Sequence, residues 1–320
     1  MRAEGGKPRV SFFPMPHPSG MVVDRARSRL FIASTRNPNQ VFGFRPVRGL
    51  LRRSDTTSDV EADTTMIPVC SRYYPGSLYL HDLALFGPDL YGNAVGHNAV
   101  VRLGADGKFE YRWWPKCVAE SGRLVRSSNF IQLNSIAAGS TLQKSFFTAS
   151  SDHMARRRPG HLNFPVDRRG VIFSGRTREP ICTGLTRPHS ARLAEGKVWV
   201  ANSGYGEVGF VSDGRLEVVS RIPGWTRGLC IVNDVIFVAA SRVIPRFSCY
   251  APGVDVASSV CGVFAIGRET GAILGSLEWP RGNQVFALDW IEQSASGGFP
   301  FEWPRRRHGR EKQVFYSYLT

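Results

Sequence analysis

The chain of 320 residues has no uninterrupted run of about 18 apolar residues, the length that a membrane-spanning helix requires. Its first eight residues are polar, and the apolar stretch after them is interrupted by Pro14, Pro16 and Pro18. A secretory signal needs a longer apolar segment, so we do not recognise one here. The sequence therefore predicts a cytoplasmic protein without a membrane partner.

Short motifs of known chemistry are also missing. None of the six cysteines forms a CxxC pair, which argues against a zinc ribbon or a thioredoxin-like site. No GxSxG, HExxH, phosphate-binding loop or dinucleotide-binding glycine motif occurs in a fitting context. The function must therefore be inferred from how separate residues are brought together.

Lysine is scarce, with six residues in a chain that carries 41 lysines and arginines and a net charge of +15. Arginine therefore supplies most of the positive charge, which is typical of a compositional bias. The two densest runs, residues 156–158 and 305–307, lie in polar segments flanked by proline and are expected to be solvated loops. No nucleic-acid-binding motif accompanies them, so we do not expect a nucleic-acid partner.

A diverged repeat organises the chain. Each copy is a short apolar run, a turn and a second short apolar run, and the 33 glycines and 20 prolines are spread between them. The copies begin at Ser19, His81, Asn134, His189, Arg227 and about Phe286. A propeller blade of four strands needs roughly 40–50 residues. The repeat therefore predicts an all-β, six-bladed β-propeller with four-stranded antiparallel blades.

The whole chain, residues 1–320, is predicted to form this single domain. Polar stretches near residues 45–65 and 155–169 are expected to be surface insertions, with the third blade resuming at Gly170. Strand-like residues 9–15 and 312–318 have no other partner, so one or both are predicted to complete the last blade and close the ring.

In a propeller the innermost strands all start on one face of the ring, and the loops after the second strands return to that face. Polar residues at these positions should therefore converge at one mouth of the central channel. The strand starts supply His81, Asp82, Asn134, Ser135, His189, Ser190 and Arg227, and the second-strand exits supply Asn37, Asn93, His97, Asp152, His153, Asn202, Ser241 and Arg242.

Two chemical roles suit this set. His81, His189 and Asn134 are able to hold a divalent metal ion of unknown identity, because imidazole nitrogens and amide oxygens are common metal ligands. Arg227 and Arg242 are able to clamp a carboxylate or phosphate through paired hydrogen bonds. The alternative for each residue is structural, since polar groups at strand starts often bond the backbone of the next blade.

Several segments carry a resemblance to a known family. They read HDLAL (81–85), LNSIA (133–137), PHSAR (188–192), NSGYGEVGFV (202–211), PGWTRGLC (223–230) and CGVFAI (261–266). The chain resembles, over roughly residues 75 to 290, a bacterial family of conserved hypothetical proteins known as a domain of unknown function with a β-propeller core. Leu193 stands where that family often has an aromatic residue. The resemblance implies a fold but no activity.

More distantly the chain is similar to six-bladed lactonases and strictosidine-synthase-like propellers. Active members often hold a cation at the channel mouth through Glu, Asn and Asp, whereas this chain has His and Arg at the comparable blade starts. That resembles in type the propeller lyases that bind zinc through histidine, such as peptidylglycine amidating lyase.

Three functions remain open from the sequence. The first is a metal-assisted hydrolase or lyase, in which His81, His189 and Arg227 are catalytic and Asn134, Asn202, Arg242 and Asp82 bind a small anionic or carbonyl-bearing substrate in the channel. The second is a propeller that binds a small molecule or a protein partner without chemistry. The third is binding of an anionic polymer through the arginine-rich loops.

Overall fold

The computed structural model describes residues 2–4, 7–35, 39–48, 64–279, 282–292 and 294–303. Within them, five four-stranded antiparallel sheets form the blades of a β-propeller, and each blade runs from its innermost to its outermost strand in chain order. No helix in the described ranges is long and apolar enough to cross a membrane.

The strand bounds follow the repeat. Ahead of the blades lie β1 (Arg2–Glu4) and β2 (Lys7–Phe12). Blade 1 contains β3 (Pro18–Asp24), β4 (Arg29–Ser34), β5 (Asn39–Val47) and β6 (Thr65–Tyr74). Blade 2 contains β7 (Leu80–Phe86), β8 (Asp89–Ala94), β9 (Ala99–Leu103) and β10 (Phe109–Trp113), and is followed by the hairpin of β11 (Ala119–Glu120) and β12 (Arg123–Leu124).

Blade 3 contains β13 (Leu133–Ala137), β14 (Phe146–Ala149), β15 (Gly170–Ser174) and β16 (Pro180–Leu185). Blade 4 contains β17 (Pro188–Ala194), β18 (Lys197–Asn202), β19 (Glu207–Ser212) and β20 (Arg215–Arg221). Blade 5 contains β21 (Trp225–Val232), β22 (Val235–Ser241), β23 (Gly262–Gly267) and β24 (Ile273–Glu278), and β25 (Phe301–Trp303) follows. Short 3-10 helices cover Arg25–Arg27, Val95–His97, Lys116–Val118, Leu142–Lys144, Ser203–Tyr205 and Pro245–Tyr250.

Apolar side chains fill the spaces between neighbouring blades. Trp113 and Phe147, for example, stack between blades 2 and 3 with their ring centroids 3.9 Å apart. Separate buried clusters lie between blades 1 and 2, 3 and 4, and 4 and 5. Burial of both faces of each sheet explains why the strands read as short, nearly continuous apolar runs.

Polar side chains on the innermost strands link one blade to the next. Asp82 accepts a hydrogen bond from the Ile136 backbone N–H (3.0 Å). Ser135 accepts one from Ala191 N–H (2.9 Å), and Ser190 accepts one from Gly228 N–H (2.8 Å). Asp82 and Ser190 lie where the pairing with the second strand shifts register, and Ser135 directly follows such a shift. These bonds join consecutive inner strands, which otherwise have no shared ladder.

The prediction of six blades is wrong, because the described residues contain five. The run beginning at Gln284 was expected to start a sixth blade, but no strand forms between residues 282 and 292. Its backbone is bound in other ways: Asn283 O accepts from Arg242 N–H (2.8 Å), and Val285 bonds the Ser241 hydroxyl through both N–H and C=O (3.1 Å each). Within the described residues, no later strand pairs with this run, since β25 pairs with β2.

The prediction that the terminal strands close the ring is also wrong for the described residues. β2 pairs with β1 and β25 and not with blade 5, and no strand pairing joins blade 5 to blade 1. The segment after blade 5 contacts blade 1 through the Asp289 side chain, which accepts from Val23 N–H (3.2 Å) and pairs with Arg25 (2.7 Å). Residues 312–318 and most of the predicted insertion at 45–65 lie outside the described residues.

Gly228 marks the closest approach of blade 5 to the segment that follows it. A Cβ on Gly228 would lie 2.8 Å from both Ala287 C and Leu288 N, and its φ is +69°. We predict that Gly228→Ala lowers the free energy of unfolding by about 1 kcal/mol for the backbone conformation and by a further 1–3 kcal/mol for the overlap. Chemical denaturation measures the change.

Gly122→Ala is the matched control, because Gly122 also has a positive φ (+76°) but no atom lies within 4 Å of the place that a Cβ would take. It should show the conformational cost alone. Equal losses for the two variants would contradict the close packing of residues 287–288 against blade 5.

Candidate functional site

The innermost strands bring four of the predicted residues to one mouth of the channel. Arg227 Nη2 lies 3.2 Å from His189 Nε2, and the charge of Arg227 also acts on His81. Asn134 lies beside the His81 ring. Phe286, from the segment after blade 5, stands edge-on to His81 with centroids 5.4 Å apart. We call this mouth the entrance site: His81, Asn134, Arg187, His189, Trp225, Arg227 and Phe286.

A repeated backbone conformation places these side chains. His17, Tyr79, Gln132 and Arg187 each stand two residues before the residue that starts a copy of the repeat, and each has a positive φ between 40° and 53°. Such values are uncommon for residues other than glycine and carry a cost of about 1–3 kcal/mol each, so the surrounding structure must hold them. The turn carries the chain into the inner strand and directs Arg187 to the entrance.

Arg187 is a site residue that the sequence analysis missed. Its side chain is buried and donates to the carbonyl of Pro159 (2.8 Å) and to the Gln132 side-chain oxygen. Its guanidinium lies 4.2 Å from the centroid of the Tyr250 ring. Burial lowers the pKa of Arg187 to about 10. Its place directly before the Pro188-His189 start was the available signal, but nothing in the sequence shows which way its side chain points.

Arg227 occupies the centre of the entrance site and is 6% exposed. Its guanidinium lies 4.7 Å from the Trp225 ring and 4.0 Å from the Phe286 ring. Burial lowers the pKa of Arg227 to about 9, and the charge of Arg187 acts in the same direction. Neither arginine forms an ion pair with a carboxylate of the described residues. Two buried cations thus share one region without a carboxylate counterion in the described part of the chain.

His189 is fully engaged by protein groups. Its Nδ1 lies 2.7 Å from the Arg187 carbonyl and 3.0 Å from Ser203 Oγ, so the network assigns the proton to Nδ1. Nε2 then carries the lone pair that accepts from Arg227. Burial, followed by the charge of Arg227, holds the pKa of His189 well below its usual range. The ring is therefore neutral and orients the guanidinium.

His81 differs because its Nδ1 is buried without a hydrogen-bond partner. Burial and then the charge of Arg227 lower the pKa of His81 to about 3, while the neighbouring Asn134 acts in the opposite direction. Its side chain is only partly buried, which leaves it within reach of a molecule at the channel mouth. His81 is thus a neutral imidazole whose Nδ1 makes no hydrogen bond of normal geometry within the described residues.

Unpaired polar atoms are concentrated at this end of the channel. Of nine buried side-chain nitrogen and oxygen atoms without a partner in the described part of the chain, seven belong to the inner ends of blades 2 to 5. They are His81 Nδ1, Asn134 Oδ1, Arg187 Nε, Trp225 Nε1, Arg227 Nε and both amide atoms of Asn93. Buried polar groups are usually satisfied, so this concentration indicates a ligand site.

Three predicted ligand residues lie elsewhere. Asp82 pairs with Arg192 (2.9 Å) beside a cavity of about 360 Å³ lined by later residues of the inner strands, and burial raises its pKa against the effect of Arg192. Asn202 accepts from Thr186 N–H (2.6 Å) and donates to Glu207 (2.8 Å). Arg242 is exposed.

The other predicted exit residues do not gather at the entrance site either. His97 bonds the Tyr111 hydroxyl (2.9 Å) in blade 2, and Asp152 pairs with the adjacent His153 (2.7 Å). Asn37 lies outside the described residues. His97, Asp152 and His153 therefore bond neighbours in their own blade or loop, and the sequence pattern does not reveal these partners.

The donor set does not fit a divalent cation. Both ring nitrogens of His189 are engaged. Nδ1 bonds the Arg187 carbonyl, and Nε2, which carries the lone pair, accepts from the guanidinium of Arg227. The charge of Arg227 beside His81, and those of Arg227 and Arg187 beside His189, would repel a metal ion. The described residues contain no group of three or more His, Cys, Asp or Glu arranged to hold a metal. The metal-ligand role of His81, His189 and Asn134 stays a prediction without structural support.

Stability should depend on pH through His81. Its folded-state pKa (about 3) lies below the ordinary value of 6.5, so the unfolded chain binds more protons between these values. Stability therefore falls as pH falls from 6.5 toward 3. The slope is about 1.4 kcal/mol per pH unit for one fully buried imidazole, and smaller for a partly exposed ring.

Urea unfolding of the wild type and of His81→Gln at several pH values measures this dependence. The variant should lose less stability on acidification than the wild type, although His189 still contributes. Parallel curves for the two proteins would show that His81 is not held neutral by the fold.

Comparison with known structures supports the propeller fold. A gluconolactonase from Xanthomonas campestris is 13% identical with a TM-score of 0.53, covering 87% of this chain and 81% of that one. A calcium-binding protein, regucalcin, from Agrobacterium tumefaciens is 12% identical with a TM-score of 0.55, covering 90% and 82%. A luciferin-regenerating enzyme is 11% identical with a TM-score of 0.53, covering 89% of each. At these identities the likeness concerns the fold alone.

No curated protein sequence matches the chain. A family model does match, over residues 1–297, and its description is a domain of unknown function, DUF4915. The resemblance to a domain-of-unknown-function family with a propeller core is thereby confirmed, and the chain is a member of the DUF4915 family.

Proposed function

We propose that the protein binds a small molecule carrying a carboxylate or phosphate at the entrance site and acts on it as a hydrolase or lyase. The observation that supports this proposal is the pair of buried guanidiniums, Arg187 and Arg227, without a carboxylate partner among the described residues. The fold, shared with structures named as a gluconolactonase and a luciferin-regenerating enzyme, is compatible with such an activity.

An anionic ligand explains the energetics of the two arginines. A buried charge is costly unless an opposite charge and hydrogen bonds compensate it. Arg187 Nε, Arg227 Nε and Trp225 Nε1 are all buried N–H donors without acceptors, and a carboxylate or phosphate presents only acceptors. The ligand thus supplies the countercharge and the missing acceptors together.

His81 is the candidate catalytic residue. A neutral imidazole is able to accept a proton from water or from a carbon acid, which hydrolase and lyase reactions both require. With a pKa of about 3 it is a weak base in the free protein. An anion bound beside it favours the imidazolium and raises this pKa, so the substrate itself strengthens the base. His189, whose nitrogens are occupied, positions Arg227.

Removal of the central charge tests the binding site. We predict that Arg227→Met reduces the affinity for phosphate and for simple carboxylates at least tenfold, because a charged hydrogen-bond partner is lost. The free energy of unfolding should stay within about 1 kcal/mol of the wild type or rise, since an uncompensated buried charge is replaced by an apolar chain of similar length. Calorimetric titration and chemical denaturation give the two quantities.

Arg123→Met is the matched control, because Arg123 is an exposed arginine on β12. It removes the same charge from the protein without touching the entrance site, so anion affinity should not change. Equal anion affinities for the wild type and Arg227→Met would overturn the proposed site.

The alternative is ligand binding without chemistry. It is favoured by one observation: His189 is fully engaged, which leaves His81 as the single free imidazole at the entrance. His81→Gln separates the two functions. An enzyme should lose turnover while its anion affinity is largely kept, whereas a binding protein has no turnover against a panel of anionic esters, lactones and lyase substrates in either form.

A further inference from the structure

We infer that the ligand of the entrance site is a hydroxycarboxylate: a small carboxylate that carries a hydroxyl group on its chain. The inference rests on the proposed function for the anionic group and adds the second group from a different set of atoms. The unpaired buried atoms of the entrance are divided by chemistry, with donors alone on blades 4 and 5 and acceptor atoms on blades 2 and 3.

The donor side receives the carboxylate. Arg187 lies at the start of blade 4, and Trp225 and Arg227 lie on the first strand of blade 5. Their unpaired atoms are N–H groups, which have no capacity to accept a hydrogen bond. A ligand hydroxyl or amine placed here would bring no countercharge, whereas a carboxylate brings a negative charge that attracts both guanidiniums and accepts hydrogen bonds from them.

The acceptor side has an orientation fixed by its neighbours. Asn134 Nδ2 donates to the Pro188 carbonyl (3.0 Å) and to Ser150 Oγ (3.2 Å). A carbonyl only accepts, so the amide cannot be reversed, and Asn134 Oδ1 is the atom left without a partner. The His81 side chain lies beside Asn134, but no hydrogen bond of normal geometry reaches Asn134 Oδ1 from the described residues, so a donor on the ligand completes its bonding. A second carboxylate or a ketone oxygen supplies none.

His81 and Asn93 are the other residues of blade 2 with unpaired buried polar atoms. His81 Nδ1 is unpaired next to Asn134. Asn93 is fully buried on β8, in the register position opposite His81 and Asp82, and both of its amide atoms are unpaired. A hydroxyl both donates and accepts, so it suits a mixed set that contains Asn134 Oδ1, an imidazole nitrogen and a carboxamide.

Charge distinguishes a hydroxyl from an ammonium group. Both are donors, but Arg227 and Arg187 already make the entrance positive, as their effects on the neighbouring histidines show. The Asp82 carboxylate is committed to Arg192 and to the backbone of blade 3. A cationic group would therefore be repelled, and the neutral hydroxyl is preferred.

A matched series of four-carbon acids tests the inference. The affinities of 2-, 3- and 4-hydroxybutyrate are compared by NMR titration with those of butyrate and the corresponding aminobutyrates, at constant ionic strength and neutral pH. At least one hydroxybutyrate should bind about tenfold more tightly than butyrate, because it satisfies buried acceptors that butyrate leaves unpaired. The aminobutyrates should bind more weakly than their hydroxyl counterparts.

Two variants assign the preference to the acceptor side. Asn134→Leu should lower the affinity of the preferred hydroxybutyrate to that of butyrate and leave butyrate binding unchanged. Asn93→Ala should reduce the preference with little effect on folding, since alanine occupies the equivalent register positions opposite His189 and Arg227, at Ala201 and Ala239. Asn93→Ala provides a second test of the acceptor side if Asn134→Leu does not fold.

The failures of the two proposals are distinguishable. Equal binding of butyrate and all hydroxybutyrates, or tighter binding of an aminobutyrate, overturns the hydroxycarboxylate inference and leaves the anion site standing. A preference for a hydroxybutyrate that both variants retain also overturns it. Binding of none of these acids and of no phosphate, with the wild type folded, overturns the proposed function and this inference with it.

Discussion

A buried positive charge without a protein counterion is the constraint on which the site depends. The guanidinium of Arg227 contacts the Trp225 and Phe286 rings and donates to the Nε2 lone pair of His189. Its charge, with burial, keeps both histidines neutral. Arg187 adds a second cation nearby. An arrangement of this kind costs stability in the free protein, which is why we propose an anionic ligand for it.

The propeller places two polar residues in succession near the start of the inner strands of blades 2, 3 and 4. Asp82, Ser135 and Ser190 bond the next blade, while the residues directly before them, His81, Asn134 and His189, form the entrance. At Gly228 the side chain is absent and the backbone of residues 287–288 packs closely. Asn134 and His189 also contact the next blade, through the Pro188 carbonyl and Arg227, so residues of the entrance site contribute to the joints between blades as well.

The starts of five blades could be predicted because each begins with a polar residue next to an apolar run. His81, Asn134, His189 and Arg227 were found in this way. The same rule also selected Asp82 and Asn202, which do not join the entrance site. Asp82 pairs with Arg192 through a tertiary contact, and Asn202 bonds Glu207 on the next strand. Arg187 was missed because a positive φ, which no sequence motif marks here, directs it to the entrance.

The sixth blade failed for a related reason. The apolar run at Gln284 has the composition of an inner strand, and it does deliver Phe286 to the site. A blade also needs partners, and the chain beyond this run supplies, within the described residues, only the short β25, which pairs with β2. Strand composition alone therefore predicted the position of the segment but not its hydrogen bonding.

Electron density around Arg227 in crystals soaked with a carboxylate shows whether the buried guanidinium receives an anion. We predict a bound anion within hydrogen-bonding distance of Arg227 Nε and Trp225 Nε1, the two donors on blade 5 that have no protein acceptor among the described residues. An ordered entrance site in which both donors bond only protein carbonyls or water, with the carboxylate bound elsewhere or not at all, would contradict it.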